Sequence, residues 1–117
     1  MGLLMPQEQT ENRRWDRYRF EGRVVWIHGQ GSTVRGAIGR ACDISEGGIS
    51  VVLPAHIPIG NAAQLEFSIP GMKQPLRVQV VVRSCQGFRY GFEFRTLSLQ
   101  QRQAIQRVCE REAVLTA

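Results

Sequence analysis

Six short runs of β-branched and aromatic residues, separated by glycine and proline, constrain the fold of this chain more than any other feature. Short strands with turn residues between them, and without intervening helices, favour an antiparallel barrel or sandwich. Closure into a barrel also removes the unpaired strand edges that promote aggregation. The sequence therefore predicts a mainly β fold, with strands at about 19–28, 33–42, 49–53, 62–69, 76–85 and 88–94.

Within these runs, two glycines, one tryptophan and four arginines carry specific expectations. Gly36 and Gly39 lie inside the second run and predict a bulge or a tight barrel bend. Trp26 lies in the apolar first run, so we expect it in the core. Arg77, Arg83, Arg89 and Arg95 alternate with apolar residues and are typical of the solvent-facing side of strands.

The C-terminal segment has a helical pattern instead. Ser98–Gln101 resembles a capping box, in which serine and glutamine side chains bond to each other's backbone N–H groups. Apolar residues then recur near helical spacing, at Leu99, Ile105, Val108 and Cys109. We expect a helix over about 98–115 that closes one mouth of the barrel or packs across its surface.

Composition and length indicate a single domain. At 117 residues, with 43% hydrophobic and 21% charged residues, the chain can bury a core without disulfides. Residues 1–12 are polar and contain Pro6, so we expect a flexible tail before a domain at 13–117. No apolar run approaches the ~20 residues of a membrane span. The cysteines, Cys42, Cys85 and Cys109, are odd in number and far apart in sequence. This suits a reducing compartment better than a set of disulfides, so a cytoplasmic location is expected.

Residue patterns of enzymes and metal sites are missing from the sequence. His28 and His56 are isolated, without an HExxH or paired acidic pattern, so metal ligation is not expected. Gly29–Ser32 lacks the lysine and the strand–helix context of a P-loop. Cys42 is expected to be buried rather than paired with a histidine for catalysis. We expect no enzyme, no metal and no cofactor.

Basic residues are numerous and almost all of one type. The formal net charge is +5, and every one of the 15 basic residues except Lys73 is an arginine. A planar, stackable cation favours nucleotides, phosphodiesters or nucleic acid as partners. Compositional bias of the genome would produce the same excess, and the sequence alone leaves both explanations open.

Three of the arginines form a cluster ahead of the first strand. Arg13, Arg14 and Arg17 include the spacing Arg-x-x-x-Arg, with Trp15 and Asp16 between them. A guanidinium donates two parallel hydrogen bonds, which suits phosphate and the Hoogsteen edge of guanine. The cluster is therefore a candidate anion-binding segment, although a solvated basic arm would have the same composition.

A second candidate lies in the turn after the second strand, where Asp43–Gly48 reads Asp-x-Ser-x-x-Gly. The carboxylate of Asp43 can accept from guanine N–H groups, and the Ser45 hydroxyl both donates and accepts. Gly47 and Gly48 allow backbone N–H groups to approach a ligand closely. The same turn is also compatible with a plain hairpin connection, in which Asp43 makes an Asx-turn and the glycines supply positive φ.

These two motifs, in this order, together with the closing Tyr90–Phe94, resemble the PilZ domain, a bacterial receptor module for cyclic di-GMP. The resemblance spans about residues 13–94 and implies a six-stranded antiparallel PilZ-type β-barrel, at about 18–94, with a C-terminal α-helix. It implies that Arg13 and Arg17 bind the phosphates and a guanine Hoogsteen edge, with Arg14 adding a contact. It also implies that Asp43 and Ser45 meet the second guanine and its phosphate, while Gly48 leaves room for the ligand.

The resemblance implies a cyclic di-GMP receptor whose arginine arm orders over the ligand and thereby presents a new surface to a downstream protein of motility, pilus or exopolysaccharide machinery. One alternative is an adaptor with this fold that binds proteins but no nucleotide. Another is a small basic barrel that binds single-stranded nucleic acid through Trp15, Tyr18 and arginines, which would require a basic and aromatic stripe across one sheet face. The concentration of distinctive residues at two loops favours a compact ligand over nucleic acid.

Overall fold

The computed structural model describes residues 16–28 and 35–111 and has six strands followed by one helix in those ranges. The elements are β1 Tyr18–His28, β2 Arg35–Ile44, β3 Gly48–Val52, β4 Ala62–Phe67, β5 Leu76–Gln86, β6 Arg89–Thr96 and α1 Leu99–Arg111. Each strand overlaps a predicted run, with ends shifted by one or two residues. The predicted tail at 1–12, Arg13, Arg14 and the last part of the predicted helix lie outside the described residues.

All six strands join in one closed barrel, in the order β1-β2-β3-β6-β5-β4. Each neighbouring pair is antiparallel, and β4 closes the barrel by pairing with β1. The prediction of a mainly β, six-stranded antiparallel barrel with a C-terminal helix is therefore confirmed, and the sandwich alternative is wrong.

Alternation along the strands determines which side chains fill the barrel. On β5, Val78, Val80 and Val82 are almost fully buried, and on β3 Val51 is fully buried. Tyr90 of β6 is also buried, and its hydroxyl donates to the Ala55 carbonyl at 2.6 Å. Between the first two of these valines, Gln79 is exposed, as alternation requires, whereas Val81 is also buried.

The bulge in β2 is not at Gly36 or Gly39, where the sequence predicts a bulge or a tight bend. Its register shift lies between Ala41 and Asp43, rather than at either glycine. A Cβ at Gly36 would meet the Trp26 carbonyl oxygen of β1, and one at Gly39 would meet the Val52 carbonyl oxygen of β3. The glycines thus permit close approach of neighbouring strands, while the bulge itself turns Asp43 onto the outer face.

Helix α1 begins with the predicted capping box. Gln101 N donates to Ser98 Oγ at 3.1 Å, and Ser98 N donates to Gln101 Oε1 at 3.0 Å. The buried side of the helix joins the barrel core through Ala104, Ile105, Val108 and Cys109. Leu99 does not belong to that side: it is 71% exposed, because it occupies the first helical position, before the helix packs on the barrel.

Trp26 packs only partly into the core. Its side chain is half-buried against the core cluster, and its ring stacks on His28 with centroids 4.3 Å apart. The indole N–H is buried and has no hydrogen-bond partner among the described residues. Within the same residues, no helix is both long and apolar enough to cross a bilayer.

Candidate ligand-binding site

Arg17, the last residue of the first motif, lies next to the second motif at one end of the β1–β2 pair. Tyr18, the first residue of β1, has Ile44 as its Cα partner, so Arg17 precedes the ladder where Ser45 follows it. The Arg17 side chain is exposed. The structure therefore places one arginine of the first motif beside the turn of the second, while Arg13 and Arg14 lie outside the described residues.

Ser45 organises the turn between β2 and β3. Its Oγ accepts hydrogen bonds from the backbone N–H groups of Gly47 and Gly48, each at 3.1 Å. Its own N–H donates to the Gly48 carbonyl at 2.8 Å. The hydroxyl and both glycine N–H groups are thus bonded within the turn, so a ligand would share or replace these bonds.

Gly48 is required by the barrel itself. It pairs with Glu93 of β6, and a Cβ at this position would meet the carbonyl oxygen of Phe92. Its φ is not positive, so the hairpin interpretation that needed left-handed geometry there is wrong for this glycine. The residue is needed to bring the turn against β6.

Asp43 is nearly buried and is already paired. Only 4% of the residue is exposed, and its Oδ2 accepts from the Arg89 guanidinium at 3.2 Å. Its Oδ1 has no hydrogen-bond partner among the described residues. Because a desolvated carboxylate needs a compensating charge or donor, the contact with Arg89 offsets part of the cost of burying the Asp43 side chain.

Arg89 and Ser50 are members of the site that the sequence interpretation missed. Arg89 Nε donates to Ser50 Oγ at 3.2 Å while its other nitrogen reaches Asp43. The Arg89 side chain is still 52% exposed, as its alternation on β6 predicted. Its partners lie 46 and 39 residues away along the chain, so only the strand register brings them together.

The register also defines a row of outward-facing positions across four strands. Arg19 pairs with Asp43, Asp43 with Ser50, and Ser50 with Gly91. We call Arg19, Asp43, Ser50 and Gly91 the motif row. Arg19 adds a second exposed guanidinium near Arg17. At the other end of the row, Gly91 permits close approach of Ser84 of β5, because a Cβ there would meet the Ser84 hydroxyl oxygen.

The turn is connected to the helix through Glu46. Gln106 of α1 donates from Nε2 to Glu46 Oε1 at 3.2 Å. Burial raises the pKa of the Cys109 thiol to about 11, and the negative charge of Glu46 adds to that shift. Desolvation, together with the charge of Asp16, raises the pKa of Tyr18 above its ordinary value. The turn, the start of β1 and the helix therefore form one connected region.

This arrangement is suited to binding an anion. Exposed guanidinium groups offer several N–H donors to a phosphate, and the free oxygen of Asp43 offers an acceptor to a donor group elsewhere on the same ligand. Residues 16–28 and 35–111 contain no group of three or more histidine, cysteine or acidic side chains positioned to hold a metal ion.

Comparison with known proteins gives consistent results. The PilZ domain model matches residues 11–111. The PilZ domain of CeSA from a cellulose-synthesizing bacterium has a TM-score of 0.61 and 22% identity, with coverage of 80% of this chain and 95% of that one. The PilZ domain of Escherichia coli YcgR, solved with c-di-GMP, has a TM-score of 0.62 and 19% identity, with coverage of 84% and 89%.

A longer protein shares the same fold. Bacillus subtilis MotI/DgrA, an inhibitor of motility, has a TM-score of 0.65 and 21% identity over 85% of this chain, which spans 50% of that protein. At these identities, the likeness to solved structures concerns the fold. No protein of the curated set matches the sequence.

Proposed function

Because the chain belongs to the PilZ domain family, whose model matches residues 11–111, we propose that it is a receptor for cyclic di-GMP. The ligand binds where the arginine segment meets the Asp43–Gly48 turn. PilZ domains are receptor or adaptor modules, and the proposed action is a change of surface on binding, read by a downstream protein of motility, pilus or exopolysaccharide machinery.

The observation that carries this proposal is the position of Arg17 beside the second motif. Arg17 directly precedes Tyr18, whose Cα partner is Ile44, and the turn begins at the next residue. Two segments far apart in sequence thus lie beside each other on an outward-facing surface. A compact ligand with phosphate and guanine groups can contact both segments at once.

The groups at the site suit particular parts of cyclic di-GMP. Arg17, with Arg13 and Arg14 ahead of it, donates to a phosphodiester or to the guanine Hoogsteen edge. Asp43 retains Oδ1 for the N1 and N2 donors of a guanine while Arg89 holds Oδ2. Ser45, Gly47 and Gly48 supply a hydroxyl and two N–H groups once the turn exchanges its internal bonds for bonds to the ligand.

Calorimetric titration with cyclic di-GMP tests the proposal and also gives the stoichiometry. We expect Arg17→Ala and Arg13→Ala each to weaken binding more than tenfold, since loss of a charged contact costs about 2–4 kcal/mol. Arg77→Ala is the matched control, because Arg77 is an exposed arginine on β5 whose partner is Glu66. A wild-type protein that binds no cyclic di-GMP would contradict the proposal.

One alternative has specific structural support. In the described structure, the Ser45 hydroxyl is bonded within its turn and Asp43 is bonded to Arg89, so both are stabilised without a nucleotide. An adaptor that binds proteins but no nucleotide would have the same arrangement. The titration separates the two functions directly, because only the receptor releases or takes up heat with cyclic di-GMP.

A further inference from the structure

A second row of outward-facing residues runs beside the motif row. Arg23 pairs with Arg40, Arg40 with Val52, and Val52 with Arg89, across β1, β2, β3 and β6. All four of these residues are exposed. Each is next to a buried residue on its own strand, and these buried neighbours are Val24, Ala41, Val51 and Tyr90. We call these four residues the arginine row; with about 4.8 Å between strands it is roughly 14 Å long.

The pairing of Arg23 with Arg40 is unfavourable for the fold. Like charges directly opposite each other on neighbouring strands repel, which destabilises a sheet. Elsewhere the barrel avoids this: Arg77 pairs across β4–β5 with Glu66, and Arg83 pairs across β5–β6 with Glu93. Within residues 16–28 and 35–111, the ion pairs use Arg77, Arg83 and Arg89 and leave Arg23 and Arg40 without a carboxylate.

Arg89 connects the arginine row to the motif row. Its backbone lies in the arginine row opposite Val52, while its guanidinium reaches Ser50 and Asp43 in the motif row. These two bonds fix the Arg89 side chain, so its remaining N–H groups are held at the boundary of the two rows. Arg89 therefore belongs to the arginine row by its backbone and to the motif row by its side-chain contacts.

We propose that the arginine row is a phosphate-binding subsite outside both sequence motifs, which takes a phosphodiester of cyclic di-GMP bound at the motif row. This inference rests on the proposed function for the identity of the ligand and on the opposed arginines for the chemistry. A bound phosphodiester supplies the negative charge that the Arg23–Arg40 pair lacks, so the repulsion present in the free protein is relieved in the complex.

Arg40→Glu tests the subsite, because it converts the like-charged pair into an opposite-charged pair with Arg23. We expect affinity for cyclic di-GMP to fall at least tenfold while the melting temperature stays the same or rises. Arg95→Glu is the control: it makes the same change in charge on an exposed residue of β6, away from the row. It should change affinity by less than twofold. Equal affinity of wild type and Arg40→Glu would overturn the subsite.

A second measurement separates this inference from the proposed function. Titration of the wild-type protein with inorganic pyrophosphate should shift the side-chain NMR signals of Arg23 and Arg40, but not those of Arg77 and Arg83. If wild type binds no cyclic di-GMP, the proposed function fails and the pyrophosphate shifts alone decide on the subsite; their absence would overturn it. If Arg40→Glu abolishes binding of a dT oligonucleotide but leaves cyclic di-GMP binding unchanged, the row is a nucleic-acid surface and the proposal is also overturned.

Discussion

Asp43 and Arg89 illustrate how one residue pair can serve both the fold and a ligand. The carboxylate is nearly buried, so it needs a charged partner, and Arg89 provides one while half of its own side chain stays in water. Such a pair contributes little net stability, but removal of one partner leaves the other in an unfavourable state. The pair also fixes the direction of the free carboxylate oxygen, which determines what a ligand can donate to it.

Asp43→Ala is expected to reduce guanine selectivity as well as affinity. A carboxylate accepts from the N1 and N2 donors of guanine, and adenine has no equivalent pair of donors. Binding of cyclic di-GMP and cyclic di-AMP should be measured by calorimetry in both proteins. Wild type should discriminate more than tenfold, and the variant should discriminate less. Equal binding of the two nucleotides by wild type would show that Asp43 does not read a base edge.

At the scale of elements, the turn after β2 is in contact with the C-terminal helix. Glu46 accepts from Gln106, and its charge acts on Cys109 in the same helix. A ligand that displaces the internal bonds of Ser45 would therefore disturb a segment that already touches α1. The contact is a physical connection between the site and the helix, which makes α1 the element most directly affected by ligand at the turn.

The raised pKa of Cys109 predicts both its reactivity and a pH dependence. The thiolate is the reactive form, so at pH 8 a thiol reagent should modify exposed Cys85 quickly and buried Cys109 slowly.

The raised pKa of Cys109 in the folded state means that the folded protein favours the neutral thiol. This contribution to stability is complete below pH 9 and is lost as the pH rises through about 11.

Mass spectrometry of the labelled protein and chemical denaturation as a function of pH measure these two effects. Cys109→Ala should lack the part of the alkaline loss of stability that belongs to this thiol. Labelling of Cys109 in the native protein at the same rate as Cys85 would contradict its burial against the barrel.

At the scale of the whole molecule, local patterns predicted the strands and the helix, but not how they are paired. Alternation and turn residues located all six strands, and the Ser98–Gln101 spacing located the helix start, because these signals depend on neighbouring residues. Strand ends moved by a residue or two, since ladder length depends on the partner strand. Closure of β4 on β1 and the bulge before Asp43 depend on contacts distant in sequence.

In the candidate site, too, the features that depend on residues close in sequence could be predicted, and those that depend on contacts distant in sequence could not. The motifs located Arg17 and the Asp43–Gly48 turn, because their residues are close in sequence. Arg89 and Ser50 have no local signal, and the alternation around Arg89 indicates only a solvent-facing residue of a strand. For the stripe expected of a nucleic-acid surface, the described residues supply a basic part, since the arginine row lies on the outer face, while Tyr90, on the strand of Arg89, points into the core.

The closed barrel leads to a prediction about where ligand binding changes the molecule. Every strand pairs on both sides, so the ladders have no free edge to rearrange, and the amides of the strands should exchange equally slowly with and without cyclic di-GMP. Ligand phosphates held between the arginine segment and the turn should slow exchange at residues 13–18 and 45–48. Hydrogen exchange followed by mass spectrometry measures both regions, and Trp15 fluorescence should respond against the constant background of Trp26.

Arg17→Ala, mixed with the same nucleotide, is the control and should lose the added protection. If residues 13–18 exchange equally fast in the free and bound protein, the arm does not order over the ligand. The signal would then have to pass through the turn and its contact with α1, which the same experiment would detect as slower exchange around Gln106.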